Sequence, residues 1–143
     1  MAVVEKSVLI ERTAQQMFNL VDHVEDYPKF LPWCGGIDLH ERTPLSTVAT
    51  IHISYHGLKA NFSTANQKQA PTRMDMSLRD GPFKHMDGSW RFTPLGETAC
   101  KIEFRLHYEF SSRMLETVLG PVFNHIANTF VESFVKRAQS VYG

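Results

Sequence analysis

"KIEFRLHYEFSSRMLETVLGPVFNHIANTFVESFVKRAQSVY", residues 101–142, contains two hydrophobic periods in direct succession. In its first ten residues apolar and polar side chains alternate strictly, which predicts a β-strand with one buried face. After Ser112 the apolar residues recur at steps of three and four, which predicts one amphipathic helix about 30 residues long. Gly120-Pro121 lies inside this helix, and we expect a kink there rather than an end.

The same alternation occurs upstream of this stretch. It is visible in "ATIHISYH", "GLKANFST", "RMDMSLR" and "GSWRF", which lie between residues 49 and 92. Turn signals such as "HG", "RDGP" and "PLGE" separate these runs from one another. Together they predict a meander of about six antiparallel strands with one apolar and one charged face.

The N-terminal part predicts one strand and two short helices. Val3–Ile10 is typical of a strand, and "TAQQ" is a capping box in which Thr13 and Gln16 satisfy backbone donors. "EDYPKF" predicts a second short helix with Pro28 in its first turn. The C-terminal helix, about 45 Å long at 1.5 Å per residue, can cover the apolar face of the sheet. We therefore predict a single α+β domain over residues 1–143, with a curved antiparallel sheet of about seven strands wrapped on the long helix.

Charge and cysteine content exclude several classes of protein. The 143 residues carry 15 Lys plus Arg and 15 Asp plus Glu, which argues against a DNA partner held by net charge. Lys136 and Arg137 form the most basic spot, and we assign them to the last helical turn, where the helix dipole favours cations. Nucleic-acid binding at this spot is the alternative. Cys34 and Cys100 form neither a metal motif nor a disulfide framework. "MAVVEKSVLIE" is too charged for a signal peptide or a membrane span, so we expect a cytoplasmic protein.

Candidate catalytic and metal-binding residues are few. Cys34 would need a base or a positive field to become a nucleophile, and neither His23 nor Lys29 has a diagnostic spacing. His52 and His56 share a strand face but are about 13 Å apart, too far to bind one metal ion. The sequence also lacks the common hydrolase, zinc, phosphate and dinucleotide motifs. We therefore predict no catalytic residue, no metal, no cofactor and no enzyme activity.

The apolar face of the predicted sheet is rich in methionine and large aromatic residues. Such adaptable side chains occur in pockets for apolar ligands, although composition alone favours the simpler interpretation that they fill a wide groove between sheet and helix. "YPKFLPWCGG", residues 27–36, is predicted to be an apolar connection that closes one end of this groove, either as a rim that the ligand passes or as a plug. The candidate residues of the cavity wall and rim are Phe30, Leu31, Trp33, Tyr55, Phe62, Met74, Met76, Phe83, Trp90, Phe92, Phe104, Tyr108, Met114, Val118 and Phe123.

Four stretches carry a resemblance to a known family. They are "YPKFLPWC", "FSTANQ", "LRDGPFKHMDGSWRFTPL" and "CKIEFRLHYEFSSRML". Together they resemble the coenzyme Q-binding START-like proteins, whose bacterial members are also called polyketide cyclase-like or ribosome association toxin (RatA) proteins. The resemblance covers essentially the whole chain and implies the helix-grip fold.

The resemblance implies a binding protein rather than a catalyst. It suggests that ubiquinone or another isoprenoid lipid lies between sheet and helix, and that the protein is a carrier or chaperone supporting respiration. Transient membrane contact, peripheral to the inner membrane, would follow from that role. The alternative is a RatA-like protein that blocks the joining of ribosomal subunits. A polyketide cyclase-like enzyme is the third and least favoured possibility. Proteins of this family share the cyclase name because they share a fold, and a shared fold does not imply a shared activity.

Overall fold

The computed structural model describes residues 2–143 and contains one antiparallel sheet and three α-helices. In chain order the elements are β1 (Ala2–Ile10), α1 (Ala14–Asp22), a 3-10 turn (Val24–Asp26), α2 (Tyr27–Phe30), β2 (Cys34–Arg42), β3 (Ser46–Tyr55), β4 (Leu58–Gln69), β5 (Arg73–Asp80), β6 (Phe83–Leu95), β7 (Ala99–Phe110) and α3 (Arg113–Tyr142). The seven strands lie in the order β1-β7-β6-β5-β4-β3-β2. The predicted α+β fold, with its seven strands, two short helices and long C-terminal helix, is confirmed.

Helix α3 covers the apolar face of the sheet through a run of aromatic contacts. Near its C-terminal end the ring of Phe134 lies 5.5 Å from that of Trp90 on β6. Further toward its N-terminus the ring of Phe123 lies 5.9 Å from that of Phe62 on β4. The helix continues without a break through Pro121 to Tyr142. The core therefore sits between one face of the sheet and one long helix.

The predicted capping box and the predicted short helix with Pro28 in its first turn are also confirmed. The Thr13 hydroxyl accepts from the backbone N–H of Gln16 at 3.0 Å, and the Gln16 side chain accepts from the backbone N–H of Thr13 at 2.9 Å. Pro28 lies in the first turn of α2. These contacts fix α1 and α2 as a short helical cover between β1 and β2.

Only a short part of the segment "YPKFLPWCGG" is a connection, although the whole segment was predicted to be one. Its first four residues form α2, and β2 already begins at Cys34. The connection itself is only residues 31–33, and the backbone carbonyl of Trp33 accepts from the backbone N–H of Ser54 at 2.9 Å. The prolines prevented a long helix but did not prevent one helical turn, because Pro28 occupies an early helix position where no backbone donor is needed.

The assignment of Lys136 and Arg137 to the last turn of the helix was wrong. Helix α3 extends to Tyr142, and its last turn contains no basic residue. The guanidinium of Arg137 instead lies 5.1 Å from the centre of the Phe30 ring, at cation–π distance. The Lys136 ammonium lies 3.3 Å from the Glu132 carboxylate one turn earlier. Among the described helices, none is both long and apolar enough to cross a membrane.

Candidate functional site

A narrow cavity lies between the sheet and α3. Its volume is about 60 Å³, taken as the space open to the centre of a water molecule. At about 10–15 Å³ per water on this measure, it holds about four to six water molecules, whereas pockets for drug-sized molecules reach about 300–1,000 Å³. A larger ligand therefore enters only when side chains on the wall move.

Five of the predicted wall residues line this cavity. Phe62 on β4, Met76 on β5, Phe104 on β7 and Phe123 on α3 contribute from the sheet and the helix, and Trp33 contributes from the connection before β2. Residues from nine different elements or connections thus meet at one place, including Met86 and Gly88 of β6. The wall is formed mainly by apolar side chains, as a site for an apolar ligand requires.

The other predicted wall residues lie elsewhere. Met74, Trp90, Phe92 and Leu31 are buried in the solid part of the core, as is Tyr108. Phe83 packs against Phe62 and Phe123 beside the cavity.

Of the remaining predicted wall residues, Phe30 and Tyr55 are half-buried and Met114 and Val118 are exposed. The Phe30 ring packs edge-on against Phe134, and the Tyr55 ring stacks on His125. Met114 and Val118 are 72% and 52% exposed in the first turns of α3 and do not line the cavity. Both precede Phe123, the first residue of α3 that lines the cavity.

Polar residues on β4 were missed by the sequence reasoning. The alternation that includes Phe62 continues through Thr64, Asn66 and Lys68, and all four side chains are buried. Thr64 and Asn66 line the cavity. The signal was present in "FSTANQKQ", because polar residues that continue the apolar register of a strand must face the same side as its apolar residues.

Three polar side chains around the cavity differ in how they are satisfied. The Tyr27 hydroxyl donates to the backbone carbonyl of Val21, and burial raises the pKa of Tyr27, so this phenol keeps its proton. The Asn66 amide nitrogen donates to the Met74 sulfur at 3.7 Å. Among the described residues, no partner is within hydrogen-bond distance of the Asn66 amide oxygen or the Trp33 indole nitrogen.

A buried ion pair fixes the helical cover beside this cavity. The Lys68 ammonium lies 3.1 Å from both carboxylate oxygens of Asp22, the last residue of α1. The Thr47 hydroxyl donates to the same carboxylate at 3.0 Å, and Arg42 donates to the Asp22 backbone carbonyl at 2.9 Å. Because Val24 and Tyr27 of the cavity wall follow directly, this network holds that wall against the sheet.

The cysteines and histidines do not assemble into reactive chemistry. Burial raises the pKa of the Cys34 and Cys100 thiols, which favours the unreactive protonated form. His52 lies on the outer face, 2.7 Å from the Asp38 carboxylate. Over residues 2–143, no three His, Cys, Asp or Glu side chains are close enough to hold a metal ion.

Comparison with known proteins assigns the family. The model of the family described as "Polyketide cyclase / dehydrase and lipid transport" matches residues 10–135. The chain belongs to this family. A relative named ribosome association toxin RatA, from Vibrio cholerae, is 45% identical over 143 residues, covering 100% of this chain and 99% of that protein. The mitochondrial coenzyme Q-binding protein COQ10 of Drosophila melanogaster is 23% identical and covers 94% of this chain and 57% of that protein.

Two solved structures have the same fold as this chain. A START superfamily protein from Mycobacterium smegmatis superposes with a TM-score of 0.76 at 20% identity, covering 97% of this chain and 98% of that one. The Zhui aromatase/cyclase from Streptomyces has a TM-score of 0.78 at 16% identity, covering 96% and 93%. The START-like fold is thereby confirmed, and likeness at this level of identity concerns the fold alone.

Proposed function

We propose that the chain binds an isoprenoid quinone of the ubiquinone type, or a related lipid, between the sheet and α3, and carries it in support of respiration. The observation that carries this proposal is the cavity at the sheet–helix interface, with its mainly apolar wall. Similarity to a protein named coenzyme Q-binding supports the quinone as the ligand class. Such a carrier would work in the cytoplasm and touch the inner membrane only to exchange its ligand.

An apolar wall suffices to bind such a ligand. Each methylene group removed from water is worth about 0.8 kcal/mol, so an isoprenoid tail supplies affinity without any charged contact. The zero formal charge of the chain agrees with binding of this kind. No acid–base pair is needed for a carrier, and the prediction that the chain is not an enzyme stays a prediction.

The narrow cavity can widen because of the side chains that line it. Met76 and Met86 lie on its wall, and methionine side chains change rotamer easily because they are unbranched. Phe130 of α3 also lines the cavity and is only half-buried. Rotation of these three side chains would widen the cavity without moving the sheet.

Extraction of the purified protein with organic solvent, followed by mass analysis, tests the proposal. We expect a quinone or a related isoprenoid lipid in the extract. In a second measurement, added ubiquinone should quench Trp33, which lines the cavity. The variant Trp90→Phe keeps Trp33 as the only tryptophan and Trp33→Phe removes it, so quenching should be stronger in the first. An empty extract together with unquenched fluorescence would refute the proposal.

A second candidate function is binding to a ribosomal subunit so that the subunits fail to join. The observation that favours it is 45% identity, along the whole chain, to a protein named ribosome association toxin RatA. With no net charge, the chain would need specific contacts rather than counterion release to bind RNA. Sedimentation of ribosomal subunits through a sucrose gradient tests this candidate. Added protein should reduce the fraction of joined ribosomes, and unchanged joining at excess protein would exclude it.

A further inference from the structure

Two buried polar atoms belong to residues of the cavity wall and have no partner within residues 2–143. They are the indole nitrogen of Trp33 and the amide oxygen of Asn66. Trp33 is 2% exposed and Asn66 is 7% exposed, so bulk water does not satisfy either atom. Native proteins leave few buried polar atoms unpaired, because each one costs free energy. A ligand in the cavity that pairs with these atoms therefore gains free energy over one that leaves them unpaired.

The two atoms require opposite groups from a ligand. An indole N–H can only donate a hydrogen bond, so Trp33 needs an acceptor such as an ether, carbonyl or hydroxyl oxygen. An amide oxygen can only accept, so Asn66 needs a group that carries a hydrogen. A ligand with acceptor oxygens alone therefore satisfies Trp33 and leaves Asn66 unpaired.

The orientation of the Asn66 amide follows from its neighbour. Its nitrogen donates to the Met74 sulfur at 3.7 Å. Turning the amide by half a rotation would place the oxygen against that sulfur, which carries no hydrogen to donate. The arrangement that keeps the N–H···S contact therefore leaves the oxygen as the atom that a ligand has to satisfy.

We propose that the cavity selects apolar ligands whose polar end carries a hydroxyl group, such as isoprenoid alcohols or reduced quinones, over ligands whose oxygens only accept. A hydroxyl group both donates and accepts, so such ligands can supply both atoms. An oxidised quinone carries no such donor and meets the need of Trp33 alone. This selectivity rests on the proposed function, because it requires that the cavity holds an isoprenoid ligand.

Three molecules with the same isoprenoid tail test the hydrogen bond to Trp33 and the hydrogen bond to Asn66 separately. Farnesol donates and accepts, farnesyl methyl ether only accepts, and the corresponding hydrocarbon does neither. We expect the wild-type protein to bind farnesol about fivefold more tightly than the ether, and the ether about fivefold more tightly than the hydrocarbon, since one hydrogen bond separates each pair. Isothermal titration calorimetry measures the three dissociation constants.

Two variants assign the preferences to the two residues. Asn66→Leu should abolish the difference between farnesol and the ether, and Trp33→Phe should abolish the difference between the ether and the hydrocarbon. The matched control is Asn61→Leu, an exposed position on the outer face of the same strand, β4, which should keep both differences.

The outcomes distinguish this inference from the proposed function. Wild-type binding of all three molecules within twofold of one another would overturn the inference while leaving lipid binding in place. Binding of none of them would overturn both. A fivefold preference for farnesol that survives in Asn66→Leu would show that another group supplies the acceptor. The wild-type series decides the main point even if a variant fails to fold.

Discussion

The interface between the sheet and α3 is packed solid at one end and hollow at the other. We call the side chains of Met74, Trp90, Phe92 and Phe134 the packed end, since none of them is exposed. There the rings of Trp90 and Phe92 stack 5.8 Å apart, and Phe134 meets the Trp90 ring edge-on at 5.5 Å. Interlocked rings of this kind leave no space that a ligand could use.

The hollow end is formed by Phe62, Met76, Met86 and Phe123 around the cavity. Two of these four side chains are methionines, which adapt their shape more easily than rings do. Polar side chains of β4 also enter the wall here, whereas the only nitrogen or oxygen atom among the four side chains of the packed end is the indole nitrogen of Trp90. We therefore predict that stability depends mainly on the packed end and the proposed ligand binding on the hollow end, and paired substitutions can test this division.

The largest expected effect comes from truncating one phenylalanine of α3 at each end. Phe134→Ala should lower the free energy of unfolding by about 4–5 kcal/mol, because its ring is enclosed on all sides and a new cavity remains. Phe123→Ala should cost less, about 3 kcal/mol, because its ring already borders empty space, and it should tighten the binding of bulky lipids. Urea unfolding and lipid titration measure the two effects. Equal costs with no change in lipid binding would contradict the division into two ends.

The ion pair of Lys68 and Asp22 should give the next largest effect. Lys68→Met removes the charge and keeps the length, which leaves the Asp22 carboxylate with Thr47 as its remaining side-chain partner. We expect a loss of about 2–3 kcal/mol, somewhat below the value for a fully buried pair, because the Asp22 side chain is 19% exposed. Urea unfolding measures the loss, and faster hydrogen exchange at the end of α1 should accompany it.

The matched control for this ion pair is Lys136→Met. Lys136 and Glu132 form an exposed pair on α3, and we expect a change below about 0.5 kcal/mol there. A loss of similar size in both variants would show that the Lys68 pair does not hold the helical cover.

Two glycines should respond to alanine in opposite directions. At Gly88, a Cβ atom would lie 2.9 Å from the backbone oxygen of Arg105 and 2.7 Å from the Met76 methyl group. Gly88→Ala should therefore destabilise the protein by about 1–3 kcal/mol and disturb the wall of the hollow end. At Gly120, inside α3, the nearest atom apart from its chain neighbours and the backbone of the helix itself is 4.0 Å away, so Gly120→Ala should stabilise the helix by at most about 0.5 kcal/mol, because a Cβ atom before Pro121 partly offsets the gain. Thermal unfolding of both variants checks the signs, and destabilisation by the second would contradict the open space at that turn.

The spacing of apolar residues and the helix-capping motif at Thr13 were sufficient to predict the fold from the sequence. The alternation in β7 and the three- and four-residue steps of α3 both depend on burial of one face, which is the strongest constraint on a chain of this size. The capping box at Thr13 depends on contacts within four residues, so it was also visible. The length of α3 was predicted, but Lys136 and Arg137 were wrongly placed in its last turn, which lies beyond them and contains no basic residue.

The cavity was harder to predict than the fold. Periodicity shows which face of a strand is buried, but it does not show whether that face meets another side chain or empty space. Met74 and Met76 are two residues apart on β5, yet only Met76 lines the cavity. Asn66 was missed because the predicted strand run "GLKANFST" ends at Thr64, whereas β4 continues to Gln69 and the register of Asn66 with Phe62 places it inside.

The smallest effect is expected for Met114 and Val118, which were predicted from the sequence to belong to the cavity wall or rim. Both side chains are exposed on α3, so the double variant Met114→Ser, Val118→Ser should change the free energy of unfolding by less than about 0.5 kcal/mol. Binding of farnesol added from solution should also stay within twofold of the wild-type value. Transfer of ubiquinone from lipid vesicles should slow, however, if these exposed apolar side chains touch the membrane beside the hollow end. A weaker equilibrium affinity for farnesol would instead indicate that Met114 and Val118 contact the ligand in the cavity.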